Sequence, residues 1–129
     1  MGMFQVKVKV ANPADAARCF EEAFWVDTGA IYTFVPEDRL RQIGLEPLHS
    51  REIILADGRR DTRLLREAKL TIGELGETMT CPVVFAPAGS LLLLGATALE
   101  NFGVQADPMR KRLKPVLGVI GGYLASRGS

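Results

Sequence analysis

No segment constrains this chain more than Trp25-Val26-Asp27-Thr28-Gly29-Ala30. It sets a single carboxylate between an apolar run and a glycine turn, at the place where a buried strand would end. An ionisable side chain there is costly unless hydrogen bonds or a charged partner compensate it. Two readings follow for Asp27. Either it caps the amides of its own strand-to-turn junction, or it is placed there for chemistry.

Size and charge narrow which chemistry. A chain of 129 residues with 47% apolar content suits one globular domain and leaves no room for a second catalytic one. Its 16 basic and 15 acidic residues are scattered and give a net charge of +1. That balance argues against nucleic acid and anionic membranes as partners. Met1-Gly2-Met3-Phe4-Gln5-Val6-Lys7 has no basic region followed by an apolar core, and no stretch reaches the length of a membrane span, so a cytoplasmic protein is expected. Cys19, Cys81 and the one histidine cannot complete an ordinary structural zinc site. No metal and no cofactor are expected, and the cysteines read as reduced, partly buried small hydrophobes. His49 has no Ser or Cys neighbour to form a hydrolase triad with.

The apolar pattern is mostly that of strands. Phe4, Val6, Val8 and Val10 alternate with Gln5, Lys7 and Lys9, and Ala11-Asn12-Pro13-Ala14-Asp15 supplies turn residues, so a hairpin returns the chain to Asp27. Thr33-Phe34-Val35 reads as a short strand, with Pro36 opening a helix over residues 37–43 that Gly44 ends. Arg51-Glu52-Ile53-Ile54-Leu55-Ala56 and Thr62-Arg63-Leu64-Leu65 flank Asp57-Gly58 and predict a long hairpin with a polar tip. Ala68-Lys69-Leu70-Thr71-Ile72 alternates, residues 73–76 carry turn chemistry with a solvated Glu74 and Glu77, and residues 79–86 form a further strand. Leu91-Leu92-Leu93-Leu94 reads as a fully buried strand, followed by Gly95, a short helix through Leu99 and a stop at Gly103.

The two halves look alike. Strand, Gly29-Ala30, helix and Ile43-Gly44-Leu45 match strand, Gly95-Ala96, helix and Phe102-Gly103-Val104. Chance and true duplication both account for so short a pattern. The copies differ where it matters: Asp27-Thr28 in the first is answered by Leu93-Leu94 in the second, so the chain carries one such carboxylate.

These residues resemble the retropepsin-like aspartic proteases, in particular their small bacterial single-domain members. The resemblance rests on Val26-Asp27-Thr28-Gly29-Ala30, the helix ending in Ile43-Gly44-Leu45, the Leu55-Ala56-Asp57-Gly58 hairpin, Leu93-Leu94-Gly95, Leu99-Glu100, and Gly103-Val104 with Asp107-Pro108. It assigns residues 1–108 to the protease domain and leaves 109–129 as a C-terminal extension. It implies a mostly β fold, a closed antiparallel acid-protease barrel with one or two short helices. It also implies a homodimer acting on a peptide or protein substrate, with one Asp-Thr-Gly loop from each subunit meeting at a twofold axis.

By the same resemblance, Asp27 is the catalytic carboxylate and Thr28, Gly29 and Ala30 support its loop. Thr28 would hydrogen-bond across the axis, and Gly29 would present its N–H to the carboxylate. Two carboxylates a few Å apart share a proton and titrate jointly. The ionised one activates a water as general base while the protonated one polarises the peptide carbonyl, without an acyl-enzyme. Ala56, Asp57, Gly58 and Arg59 would belong to a flap that closes on substrate, although a solvated charged hairpin has the same composition. Arg59 and Arg60 at its tip would favour acidic substrates. Bacterial relatives commonly place Ser after Asp-Thr-Gly-Ala; here Ile31 stands, with Tyr32 beside it as packing or cleft lining.

Leu113-Lys114-Pro115-Val116-Leu117-Gly118-Val119-Ile120-Gly121-Gly122-Tyr123-Leu124 is too apolar for a solvated tail. The chain begins just before the first hairpin strand, without the N-terminal segment that retroviral members add to their dimer sheet. The C-terminal segment is therefore the expected dimer interface, with packing over its own core as the competing use. The function expected is an aspartic endopeptidase; a noncatalytic dimeric peptide-binding or interaction domain on the same fold is the alternative.

Overall fold

The computed structural model describes residues 3–117. The first hairpin pairs β1 (Gln5–Asn12) with β2 (Asp15–Val26), from Gln5 opposite Trp25 to Val10 opposite Phe20. Val6, Val8 and Val10 face the core while Gln5, Lys7 and Lys9 face solvent, as their alternation requires. The register slips between Ala11 and Asn12, and Asn12 lies buried on the same face as Val8 and Val10. Its amide donates to the Ile43 carbonyl at 2.9 Å and its Oδ1 accepts the Ala14 N–H at 2.8 Å, so this buried polar group is satisfied.

Seven further strands and two helices follow: β3 (Thr33–Pro36), α1 (Glu37–Gln42), β4 (His49–Ile54), β5 (Arg60–Ile72), β6 (Glu77–Ala86), β7 (Leu93–Leu94), α2 (Ala96–Asn101), β8 (Val104–Asp107) and β9 (Arg112–Pro115). Seven strands make one sheet in the order β1-β2-β7-β3-β6-β5-β4, and β1 pairs with β5 as well as with β2. The core that this sheet encloses includes Phe24, Leu40, Leu45, Leu70, Ile72 and Leu94, all fully buried. Each such side chain contributes roughly 1.5–3 kcal/mol relative to exposure.

Most pairings are antiparallel, but β2–β7 and β3–β6 are parallel. The parallel pairs arise where the two halves interleave. β2 runs into the Asp27 turn and β3 leaves it; β7 then enters between them, parallel to β2 and antiparallel to β3. Helix α1 covers residues 37–42, one fewer than the sequence pattern predicts, with Ile43 as its cap and Gly44 at φ +83°. The apolar run at 91–94 is strand only at Leu93 and Leu94. Leu91 is 63% exposed, in the short link between the turn at 87–90 and the strand.

The structural correspondence between the halves differs from the one the glycines suggest. β2, a turn at 27–30, β3 and α1 match β6, a turn at 87–90, β7 and α2. The Ala30 N–H donates to the Asp27 carbonyl at 3.2 Å, and the Ser90 N–H donates to the Pro87 carbonyl at 3.1 Å. The counterpart of Asp27 is thus Pro87, while Leu93 and Leu94 correspond to Thr33 and Phe34.

β9 pairs with β8, the Val116 N–H donates to the Gly103 carbonyl at 2.8 Å, and Leu113 is buried in the core. The start of the C-terminal extension is therefore packed on its own chain. Residues 118–129, the greater part of the expected interface segment, lie outside the described residues. Cys81 is buried, which pushes its thiol pKa up, whereas Cys19 is exposed on β2. The description of a partly buried hydrophobe therefore fails for Cys19.

Candidate active site

Backbone hydrogen bonds hold the Asp27 turn to the second half of the chain. The Asp27 N–H donates to the Leu94 carbonyl and the Trp25 N–H to the Leu92 carbonyl, both at 2.9 Å. The first N–H groups of a helix have no partner within it. In α2 they are used here: Ala96 donates to the Ala30 carbonyl at 2.7 Å and Thr97 to the Ile31 carbonyl at 2.9 Å. The turn is fixed on one side by a strand and on the other by a helix end.

Gly95 makes this approach feasible. Its backbone is extended, with φ −94°, so conformation does not demand glycine. Space does: a Cβ there would run into the Tyr32 carbonyl and lie 2.9 Å from the Ala30 carbonyl oxygen. The Gly95 N–H donates to the Thr33 hydroxyl at 3.1 Å, a buried bond between the halves. Thr33 is 1% exposed. Sequence reasoning missed Thr33 as a support of the site; a polar residue in an otherwise apolar strand was its one signal.

The side chains of the turn point to use rather than to packing. Asp27 is half-buried, and its Oδ1 accepts the Gly29 N–H at 3.0 Å. A Cβ on Gly29 would come within 3.3 Å of that oxygen. Thr28 is exposed and makes no side-chain hydrogen bond among the described residues. Ile31 is 68% exposed, an apolar side chain presented to solvent just after the turn.

A cleft of about 520 Å³ runs alongside the turn. Gly29, Ala30, Tyr32, Phe34 and Leu93 line one wall, and residues 51–56 of β4 and the following turn line the other. Tyr32 is therefore a cleft residue. Of the expected flap positions, Ala56 reaches the cleft, whereas Asp57, Gly58 and Arg59 form the exposed hairpin tip. That tip is ordered by its own chemistry. The Leu55 N–H donates to the Arg59 carbonyl at 2.7 Å, and Gly58 adopts φ +87°. Asp57 accepts the Arg59 N–H at 3.0 Å and the Arg59 Nε–H at 2.7 Å. These bonds, the backbone one first, hold the Asp57 carboxyl below its ordinary pKa of 3.8.

His49 lies away from the cleft, with Nε2 3.1 Å from Glu67 Oε2. Among the described residues no three His, Cys, Asp or Glu side chains gather as a metal would need, and no helix is long and apolar enough to cross a membrane.

A mostly β chain that presents one Asp-Thr-Gly turn to a cleft beside a hairpin has the plan of a retropepsin-like aspartic-protease fold. Residues 21–101 match the family described as "gag-polyprotein putative aspartyl protease", and the chain belongs to this retropepsin-like aspartic protease family. Its fold is similar to a crystal structure of a retropepsin-like aspartic protease from Rickettsia conorii, with TM-score 0.55 and 17% identity over 86% of this chain and 90% of that one. It is also similar to the solution structure of simian foamy virus (mac) protease, with TM-score 0.53 and 16% identity over 76% and 93%. A third likeness is to the foamy viral protease-reverse transcriptase in complex with an RNA/DNA hybrid, with TM-score 0.57 and 17% identity over 93% of this chain. The chain spans 13% of that viral protein. At these identities the likeness is one of fold. No curated protein matches the sequence significantly.

Proposed function

We propose that two copies of this chain form a homodimeric aspartic endopeptidase in which the two Asp27 carboxylates act as one dyad. The observation that carries the reading is the inequality of the two matched turns. Asp27 is held at one of them, in a turn whose Gly29 and Ala30 line the cleft, and Pro87 occupies the same place in the other. A dyad needs a second carboxylate, and a second copy of the same turn supplies it with the same geometry. The exposed Thr28 hydroxyl is free to bond across the axis. The pairing of β1 with both β2 and β5 supports reading the sheet as the closed acid-protease barrel.

The chemistry follows from the charges. Two carboxylates at close range favour the state in which they share one proton. The ionised Asp27 takes a proton from a water bound between them, and that water attacks the peptide carbonyl carbon. The protonated Asp27 donates a hydrogen bond to the carbonyl oxygen as negative charge develops on it, and proton transfer to the amide nitrogen releases the amine. The Gly29 N–H fixes the carboxylate, and the β4–β5 hairpin covers an extended peptide whose backbone pairs with it.

The exposed Ile31 just after the turn favours a second reading, a dimer that binds peptides without cutting them. One variant separates the two. Asp27→Asn is expected to abolish cleavage of a diverse peptide pool between acid and neutral pH while sedimentation still shows a dimer. A wild-type dimer that binds the pool and cleaves none of it would establish the second reading.

A further inference from the structure

The cleft walls are largely apolar, and the charges near them are unequally balanced. Arg59, at the hairpin tip, is engaged by Asp57 at 2.7 Å. Arg60 is engaged by Glu52 at 3.0 Å. The tip cations that the sequence suggests for substrate charge are thus already neutralised. Farther down the hairpin, Arg51 lies opposite Arg63 in the β4–β5 register. Like charges placed opposite each other on a sheet destabilise it. Arg63 is relieved by Asp61 at 3.1 Å, but Arg51 has no ion-pair partner among the described residues. Its guanidinium makes one bond, Nη1 to the carbonyl of its neighbour Ser50 at 3.1 Å.

Arg51 is also the cation that lines the cleft. An apolar groove with one uncompensated guanidinium at its edge is matched by an extended peptide with apolar side chains in the groove and a carboxylate beside them. A guanidinium takes a carboxylate with two parallel hydrogen bonds, and its several remaining donors suit this role. At about 3.3 Å per strand residue, Arg51 stands about 10 Å before Ile54, where β4 ends and the turn to the tip begins. The carboxylate is therefore taken near the root of the hairpin and not under its tip.

We infer that Arg51 is a specificity-determining residue that selects peptides carrying an acidic side chain beside an apolar segment. The inference rests on the reading of the cleft as a peptide site, and the experiment separates the two. Fluorescein-labelled twelve-residue peptide pools carry a central apolar pair with Glu, Gln or Lys at the flanking positions. Cleavage by the full chain gives kcat/KM, and anisotropy with the Asp27→Asn protein gives binding.

Wild type is expected to favour the Glu pool over the Lys pool by about two- to fivefold, the size of effect that an exposed ion pair provides. Arg51→Lys keeps the order, Arg51→Gln erases it and Arg51→Glu reverses it; the Gln variant carries the test if the reversal misfolds. Cleavage with the same preference in wild type and Arg51→Gln overturns the inference and leaves the protease reading intact. Charge-selective binding that Arg51→Glu reverses, without cleavage, upholds the inference and overturns the protease reading. Neither binding nor cleavage overturns both.

Discussion

At the end of β2 the chain turns through residues 27–30, and at the end of β6 it turns through residues 87–90. In both turns the fourth N–H returns to the first carbonyl, at 3.2 and 3.1 Å, and a strand and a helix follow. The first positions differ. Asp27 gives its N–H to Leu94 and takes the Gly29 N–H on its carboxylate, whereas Pro87 has no N–H to give. The glycines differ too. Gly89 sits at φ +85° with open space around it, so its value is conformational. Gly29 is absent from the positive-φ positions, and its bare Cα leaves room for the Asp27 carboxylate. One backbone design carries a proline at its first position in one half and, in the other, the carboxylate to which the proposed chemistry is assigned.

The sharpest way to break this comparison is to move the carboxylate. Asp27→Asn is expected to lower kcat/KM by a factor on the order of 10²–10⁴ or more, the scale of general acid–base catalysis. Adding Pro87→Asp to that variant is expected to restore none of it; recovered cleavage would mean that the two turns are interchangeable.

The glycines offer the next test. Gly95→Ala forces a methyl against the Tyr32 and Ala30 carbonyls and is expected to cost about 1–3 kcal/mol or more in urea unfolding, with loss of cleavage. Gly89→Ala strains the backbone in open space and is expected to cost about 1–2 kcal/mol with cleavage retained. Equal losses of activity would show that the second turn is not mere scaffold. Thr33→Val leaves the buried Gly95 N–H without its acceptor, and a loss of about 1–3 kcal/mol is expected by the same unfolding measurement.

The smallest effect is expected at the hairpin tip. Arg59 holds the Asp57 carboxyl below its ordinary value, so the ordering of the tip is present at neutral pH. It is lost as pH falls below 3.8 through the lowered folded value. The protection of the Arg59 amide, corrected for its intrinsic exchange rate, should therefore fall on acidification, and Asp57→Asn should remove that dependence.

Much of this was legible in the chain. Alternation in β1 marked its buried face, Asp57-Gly58 marked the hairpin, and Asp27-Thr28-Gly29 marked the turn that β2 runs into. What escaped has a common cause. The second turn, Pro87-Ala88-Gly89-Ser90, shares one glycine with the first, and its likeness lies in a backbone hydrogen bond that leaves no trace in side chains. The run at 91–94 looked uniformly buried, yet a strand that enters between two others late buries only what lies between them. Arg51 resembled its neighbours in sequence, and only side-chain geometry separates the hairpin arginines that meet a carboxylate from Arg51, which meets none among the described residues.

The length of β5 has a mechanical consequence. Up to Leu64 the strand pairs with β4 alone, at Leu65 it meets both β4 and β6, and beyond that β6 lies on one side, with β1 taking the other from Lys69 onward. Leu65 is 2% exposed. The hairpin is thus a cantilever rooted in the core at one buried leucine. Bending of the free end would break no pairing with β6 or β1, whereas bending at the root, near Arg51, would. On the proposed reading, a ligand would be admitted at the tip and its charge read near the anchored end.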